Sequence, residues 1–395
     1  MESLNSGGLR LWRGPSAGII DALGKGRGAD SLWLPGARGV DDLPDRRFLQ
    51  RHASEVSLWV QTSGSTAAPS WVGLSAEALM QSAQAVNDWL GAAPRKDWLL
   101  ALPDYHVGGL SLWVRAHLAG SQVHLMNGPW SGPRLLDRLE RTAAAFVSLV
   151  PTQLHDLVST GLRPPSSLEL ALVGGGSLGL SLAARARELG WPVCGTYGMT
   201  EACSQIATER VGGAGGELWV LPHWSVSLDS QGALQLCGKA LAQGAVVRES
   251  GQWTWHGFSQ PWSTRDQVAL HRVNGSTQLK FLGRCDSAIK ILGELVHLDA
   301  LQRRLEELSL REGGVSDLAI VDVPDARRGR ALWLIGGDER GRNWVGVWNS
   351  QVAGFERVEG FLLNPAAKRG VLGKWSLTSL RRQAIAVLDS KGSNG

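Results

Sequence analysis

The sequence predicts an α/β fold in which a large layered domain is followed by a small α+β domain. Short apolar runs alternate with segments of helical periodicity over the first half of the chain, a pattern typical of layered α/β proteins. From Gly216 to about Arg284 the chain turns polar, tryptophan-rich and alternating, which predicts antiparallel strands or a small barrel-like β region. We expect a boundary near Asp286, with a large domain over 1–285 and a small domain over 286–395.

The first half of the chain supplies the strands and helices of the large domain. The run VSLWVQ at 56–61 predicts a strand that enters a turn rich in glycine and hydroxyl groups. A helix is expected over 75–90, because apolar residues recur at helical spacing, Ser75 is a suitable N-cap and Glu77 lies in the first turn. Further buried strands are predicted in SQVHLM, AAFVSLV, LELALVGGG and PVCGTYG, and helices in GPRLLDRLERTAA and SLAARARELG.

The segment after residue 286 predicts the elements of the small domain. A helix is expected in LDALQRRLEELS, whose apolar face consists of Leu298, Leu301, Leu305 and Leu308. Two strands are predicted in DLAIVDVPD and RALWLIGG.

Composition and charge argue against several classes of function. The chain has 395 residues, 43% of them hydrophobic, and a formal net charge of +4, which is ordinary for a soluble globular protein. No basic run or aromatic-basic stripe indicates nucleic-acid binding, and no apolar run approaches the length of a membrane span. The four cysteines form no CxxC pair, so we expect reduced thiols, no zinc site and a cytoplasmic location. The oligomeric state is left open.

Two glycine-rich loops follow predicted strands. In the first, at 62–66, backbone N–H groups and hydroxyls suit phosphate oxygens, although a polar surface turn is an equally simple interpretation. The second has GxGxxG spacing at Gly174, Gly176 and Gly179, which is typical of dinucleotide-binding proteins. That interpretation is disfavoured, because Glu201 arrives only after another glycine turn and cannot be the expected ribose acid.

Seven motifs occur in a fixed order. They are TSGSTAAP (62–69), LPDYHVGGLS (102–111), LVPTQLHDLV (149–158), YGMTEACSQIAT (197–208), STRDQ (263–267), GRCDSAIKILGE (283–294) and LGKWSLTSLRR (372–382). Together they resemble the acyl- and aryl-CoA synthetase superfamily of adenylate-forming enzymes, over nearly the whole chain from about residue 55. Within it, VPTQL and YGMTEACSQIAT are most similar to the o-succinylbenzoate–CoA ligase branch. The resemblance implies the adenylate-forming fold, with a mobile C-terminal domain.

The resemblance also implies a reaction and its small-molecule substrates. A carboxylate, 2-succinylbenzoate in that branch, would attack the α-phosphate of ATP in the presence of Mg²⁺, and pyrophosphate would leave. The thiol of CoA would then displace AMP from the acyl-adenylate. Both steps move negative charge, so the protein has to supply hydrogen-bond donors, cations and a metal ligand.

Matching motif positions assign the nucleotide-binding residues. The β- and γ-phosphates would be held by Thr62, Ser63, Gly64, Ser65 and Thr66. The wall beside the adenine would be formed by Gly174, Gly175, Gly176 and Ser177. Tyr197 would pack on the adenine in a motif that includes Gly198 and Met199. Asp266 would accept both ribose hydroxyls, and Arg284 would contact the ribose or a phosphate.

The same positions assign the catalytic, metal and CoA-binding residues. Lys374 would neutralise the attacking carboxylate and the α-phosphate, to which Thr200 would also donate, and Glu201 would bind Mg²⁺. His106 would close the acyl tunnel, and Asp286 would be the hinge of the small domain. The CoA arm would meet the segment that contains Lys290, Gly293 and Glu294.

Some positions depart from the pattern of the superfamily. Ala67 and Ser70 stand where it usually has glycine and lysine, and Arg265 replaces the glycine before Asp266. Two alternatives therefore remain open: a CoA ligase for a different carboxylic acid, and a degenerate member that binds nucleotide without ligating. Arg115 and His117 are both candidates for binding the second carboxylate of 2-succinylbenzoate.

Overall fold

The computed structural model describes residues 2–4, 10–12, 18–23, 31–34, 43–62, 70–94, 96–126, 128–213, 215–285, 288–292, 294–312, 317–325, 327–367 and 375–392. These residues form two large sheets with helices packed on them and a smaller C-terminal unit, which confirms the α/β class.

Strands and helices alternate through the first half of the described chain. The strands are β1 (Glu2–Leu4), β2 (Arg10–Trp12), β3 (Leu32–Leu34), β4 (Leu58–Thr62), β5 (Ser70–Leu74), β6 (Trp98–Leu100), β7 (Val123–Leu125), β8 (Phe146–Leu149), β9 (Leu170–Val173), β10 (Val193–Met199), β11 (Ser204–Thr208), β12 (Leu218–Val220), β13 (Ser225–Leu228), β14 (Ala233–Cys237), β15 (Gly244–Glu249), β16 (Gln252–Gly257), β17 (Trp262–Val273), β18 (Ser276–Arg284), β19 (Ala288–Ile291), β20 (Glu294–His297), β21 (Leu318–Asp325), β22 (Gly329–Gly336) and β23 (Val358–Leu363). The helices are α1 (Ile19–Leu23), α2 (Arg46–His52), α3 (Ala76–Leu90), α4 (Val107–Ala119), α5 (Gly132–Thr142), α6 (Pro151–Ser159), α7 (Leu180–Glu188), α8 (Leu298–Arg311), α9 (Trp344–Asn349) and α10 (Leu377–Gly392).

The larger sheet contains the parallel strands on which the motifs are placed. Its order is β13-β14-β17-β18-β12-β11-β10-β9-β8-β6-β7, and β7, β6, β8, β9 and β10 run parallel. The second sheet has the order β1-β2-β3-β4-β5-β15-β16. Because β6 is followed on one side by β7 and on the other by β8, the strand order reverses between β6 and β8, where open α/β sheets form a crevice.

The region from 216 to 284 differs from the expected barrel. The described strands β12, β13, β14, β17 and β18 extend the larger sheet, whereas β15 and β16 pair with β5 in the other sheet. The physical reason is that β11 and β5 each offer an unpaired edge, and backbone groups gain hydrogen bonds by continuing those ladders. Alternating sequence predicts strands but cannot distinguish which sheet they join.

Local expectations from the sequence are confirmed at two helices. The Ala78 N–H donates to the Ser75 hydroxyl (3.1 Å), so Ser75 is the N-cap of α3. In α8 the four expected leucines are buried, and they pack against β21, β22 and α9 in the core of the small unit. The two hydrophobic clusters of this unit draw on described residues from Ile289 to Leu388 only.

The carboxylate of Glu209 fixes the beginning of β10. Its side chain is 7% exposed, and its Oε2 accepts from the Gly195 N–H (2.9 Å) and from the Arg187 guanidinium (2.9 Å). The Gly216 N–H donates to the other oxygen, and Gly195 is two residues before Tyr197. A buried carboxylate is stable when several donors replace its water shell. This one ties β10 to α7 and to the loop before β12.

His223 gives a testable consequence of burial. It lies between β12 and β13, neither ring nitrogen has a hydrogen-bond partner within the described part of the chain, and burial lowers the pKa of the imidazole to about 4. Between the ordinary pKa of about 6.5 and about 4, the unfolded chain binds a proton that the folded chain does not, so this residue reduces stability as pH falls through that window.

We therefore expect His223→Phe to lose less unfolding free energy than wild type between pH 7 and pH 4.5. Urea unfolding at several pH values measures this, with His271→Phe, at an exposed position, as the matched control. Parallel pH dependences of wild type and His223→Phe would contradict the prediction.

Candidate functional site

The motif loops meet at the carboxyl edge of the parallel strands. The loop after β6 leads to His106, the loop after β8 begins at Val150, and the loop after β9 contains Gly174. Gln153 connects two of these loops, because its amide donates to the Ala101 carbonyl (3.0 Å) and its Oε1 accepts from the Val150 N–H (3.0 Å). The strand order thus brings together loops that are far apart in sequence.

The turn at the end of β10 requires glycine at 198. The register of β10 and β11 shifts between Tyr197 and Gly198, and a Cβ at Gly198 would lie only 1.6 Å from the Ser204 carbonyl oxygen. A short 3-10 turn at Thr200–Ala202 follows, and Cys203 closes it by donating its N–H to the Thr200 carbonyl (3.0 Å). The close approach places Thr200 and Glu201 beside the end of the strand.

Tyr197 and Asp266 are brought into direct contact. The Tyr197 hydroxyl donates to Asp266 Oδ2 at 2.6 Å, and Asp266 is only 9% exposed. Arg284 lies opposite Asp266 in the β17–β18 ladder. The Tyr197 ring is tilted against Phe281, with ring centroids 5.8 Å apart. Three residues expected to bind adenosine therefore form one cluster on β10, β17 and β18.

Glu201 belongs to the same electrostatic cluster. Burial raises the pKa of its carboxyl, Asp266 raises it further, and Arg284 and Arg265 act in the opposite direction. Burial also raises the pKa of Tyr197, which therefore keeps its hydroxyl proton. A buried carboxylate whose charge is only partly compensated is suited to a cation, and Mg²⁺ prefers such an oxygen ligand together with phosphate oxygens.

The base of the first glycine-rich loop is closed by two hydroxyls. Thr62 ends β4 and Ser70 begins β5, and their side-chain oxygens lie 2.6 Å apart. Ser63, Gly64, Ser65 and Thr66, with Ala67, lie outside the described residues. The structure thus places the ends of this loop at the edge of the seven-stranded sheet.

The second glycine-rich loop lies between β9 and α7. Gly174 has room for no side chain, because a Cβ there would meet the Thr196 methyl group at 2.6 Å, and its N–H donates to the Leu149 carbonyl (3.1 Å). Gly175, Gly176 and Ser177 are exposed. Their position beside β10 agrees with the expected wall of an adenine pocket.

The remaining expected site residues are distributed differently. His106 is the residue before α4, and its ring lies 4.6 Å from that of Tyr105. Lys290 and Glu294 are exposed on the β19–β20 hairpin. Lys374, Asp286 and Gly293 lie outside the described residues, so their roles remain predictions.

Arg115 is a buried cation in this region. It is 1% exposed, one guanidinium nitrogen donates to the Ser204 hydroxyl (3.1 Å), and its Nε has no partner among the described residues. Burial lowers the pKa of the guanidinium to about 9. His117, by contrast, is exposed near the end of α4. Sequence reasoning did not assign Ser204 or Phe281, although Ser204 lies inside the YGMTEACSQIAT motif.

No described cluster resembles a metal site built from protein ligands alone. Among residues that the structure describes, no group of three or more His, Cys, Asp or Glu side chains is placed to hold a metal ion. A Mg²⁺ ion held by Glu201 and the phosphates of a nucleotide fits this arrangement. Within the same residues, no helix is both long and apolar enough to cross a membrane.

A family model and curated relatives match the chain. The model described as AMP-binding enzyme matches residues 26–243, more than half of the chain. The 2-succinylbenzoate–CoA ligase of Bacillus pumilus is 29% identical over 286 residues, which cover 68% of this chain and 56% of that protein. The probable 2-succinylbenzoate–CoA ligase of Mycobacterium tuberculosis H37Rv is 31% identical over 285 residues, 70% of each chain. The match thus spans little more than half of the B. pumilus protein.

Solved structures share the fold. The o-succinylbenzoate CoA synthetase of Bacillus subtilis with its acyl-adenylate intermediate aligns with a TM-score of 0.70 and 23% identity, over 93% of this chain and 81% of that one. ATP-bound MatB from Rhodopseudomonas palustris aligns with a TM-score of 0.68 and 18% identity, over 88% and 70%. At these identities the likeness shows the adenylate-forming fold.

The close approach at Gly198 makes a specific prediction. We expect Gly198→Ala to lower the unfolding free energy by about 1–3 kcal/mol, because the new Cβ has to displace the Ser204 carbonyl. The same displacement moves Glu201, so nucleotide binding should weaken as well. Thermal unfolding and AMP titration measure the two effects.

The control is Gly346→Ala in α9, where a Cβ meets nothing within 4 Å and alanine favours the helix. Equal behaviour of the two variants would show that the β10 turn tolerates a side chain.

Proposed function

The chain belongs to the AMP-binding enzyme family, and from this premise we propose that it ligates 2-succinylbenzoate to CoA through an acyl-adenylate. The products would be 2-succinylbenzoyl-CoA, AMP and pyrophosphate, and the reaction would serve menaquinone or phylloquinone biosynthesis. The observation that carries the proposal is the cluster of Tyr197, Glu201, Asp266 and Arg284, which unites an aromatic ring, a metal-binding carboxylate and a ribose-binding carboxylate. The relatives named above support the choice of acid.

In the first half-reaction the described residues would bind and orient ATP. The adenine would lie between Tyr197 and the wall at Gly174–Ser177, with the ribose on Asp266. Thr62, with the hydroxyls and N–H groups of the following loop, would hold the outer phosphates, and Thr200 would donate to the α-phosphate. Mg²⁺, held by Glu201, would neutralise charge on the pyrophosphate as it leaves.

The second half-reaction would depend on the C-terminal domain. Lys374 would stabilise charge during adenylation, and rotation at Asp286 would then exchange it for the segment that contains Lys290, Gly293 and Glu294, which would meet CoA. His106 would close the acyl tunnel in the first step and withdraw for the thiol. The division into residues 1–285 and 286–395 is part of this proposal.

The second carboxylate of the acid would be bound near Arg115. This cation lies three residues beyond Leu112 on α4 and contacts Ser204, three residues after Glu201, so it lies beside the acyl end of the nucleotide cluster. A cation removed from water pairs strongly with a carboxylate. The fold shared with MatB keeps a second candidate open, a CoA ligase for another acid.

The decisive experiment is acid-dependent release of pyrophosphate from ATP. We expect release with 2-succinylbenzoate and much less with benzoate or a fatty acid, because only the first carries the carboxylate that Arg115 would bind. Lys374→Ala should abolish release but largely spare thioester formation from supplied acyl-AMP. Preference for another acid would favour the second candidate, and release with no acid at all would indicate a nucleotide-binding protein without ligase activity.

The role of Arg115 can be tested separately. Arg115→Met keeps most of the buried volume and removes the charge, so we expect KM for 2-succinylbenzoate to rise about tenfold to a hundredfold. Any residual activity with benzoate should change little. Arg141→Met, at an exposed position on α5, is the matched control. An equal loss with both acids would assign Arg115 to packing alone.

A further inference from the structure

The carboxylate expected to bind the ribose already has a protein donor. Asp266 Oδ2 accepts from the Tyr197 hydroxyl at 2.6 Å, a short distance for a charge-assisted hydrogen bond, and the two residues are 69 positions apart. Sequence reasoning assigned both ribose hydroxyls to Asp266 and only ring packing to Tyr197. The contact between them has no place in that assignment.

Both partners are held in position by their surroundings. The Asp266 N–H donates to the Thr264 hydroxyl (3.1 Å), and the β17–β18 ladder sets Asp266 opposite Arg284. The Tyr197 ring packs against Phe281 at 5.8 Å. Tyr197 is the donor, because its hydroxyl keeps its proton. Neither side chain has to move for the other to form this bond.

A carboxylate that binds two neighbouring hydroxyls normally uses one oxygen for each. Here Oδ2 is engaged by the phenol, and a ribose hydroxyl at the same oxygen has to share it with a donor at 2.6 Å. We propose that the Tyr197 hydroxyl restricts Asp266 to one ribose hydroxyl and thereby sets the sugar selectivity of the nucleotide site. This inference rests on the proposed function, in which ATP is the nucleotide.

The selectivity of the wild-type protein follows directly. Of 2′-deoxy-ATP and 3′-deoxy-ATP, one lacks the hydroxyl that Asp266 binds, and its kcat/KM should fall roughly tenfold to a hundredfold. The other should remain within roughly threefold of ATP, because the hydroxyl that it lacks makes no strong bond to Asp266. The experiment itself decides which hydroxyl is bound.

Tyr197→Phe is the diagnostic variant. It keeps the ring and removes the hydroxyl, so Oδ2 becomes available and the second ribose hydroxyl can bind there. The analogue that wild type tolerates should then become roughly tenfold worse than ATP. Phe281→Leu is the matched control, because it removes the ring contact but keeps the Tyr197 hydroxyl, and its selectivity should equal that of wild type. The ratio between nucleotides is insensitive to a general loss of active protein.

Three results would overturn the inference. These are equal penalties for both analogues in wild type, no penalty for either, or identical selectivity in wild type and Tyr197→Phe. If Tyr197→Phe does not turn over, calorimetric titration with AMP, 2′-deoxy-AMP and 3′-deoxy-AMP gives the same comparison without catalysis. If wild type releases pyrophosphate with no acid, the proposed ligase activity fails, and the AMP titrations still decide the role of Tyr197.

Discussion

The candidate site depends on the position of β10, and the buried carboxylate of Glu209 fixes that strand. Glu209 accepts from Gly195 and Arg187 at the point where β10 leaves the parallel ladder with β9 and begins to pair with β11. Tyr197, Thr200 and Glu201 follow within a few residues. A strand anchored at one end and forced into a tight turn at the other leaves these side chains little freedom, and such preorganisation favours tight binding of a rigid ligand.

Local features of the fold could be predicted from the sequence, because they depend on neighbouring residues. The N-cap at Ser75 and the leucine face of α8 follow from hydrogen bonding and helical spacing within a few positions. The destination of the strands between 218 and 284 could not be predicted, since alternation indicates a strand but not its neighbour. Motif order compensated for this, because it carried family information that composition and periodicity lack.

The candidate site was predictable as a set of residues, but its contacts were not. The sequence placed Tyr197 and Asp266 in separate motifs with separate roles, and only the packing of β10 against the β17–β18 pair brings their oxygens together. Arg115 gave a similar result. Its presence in the chain was visible, but its burial and its bond to Ser204 depend on how α4 packs against β11. Long-range contacts of this kind are set by topology.

The hydroxyl pair of Thr62 and Ser70 has a consequence for the chemistry of the triphosphate. The superfamily pattern has a lysine at position 70, whereas this chain uses that position to close the base of the loop with a neutral contact. The mouth of the loop therefore carries one fixed positive charge fewer. Neutralisation of the outer phosphates has to come from dissolved divalent cations instead, so nucleotide affinity becomes linked to the free magnesium concentration around the protein.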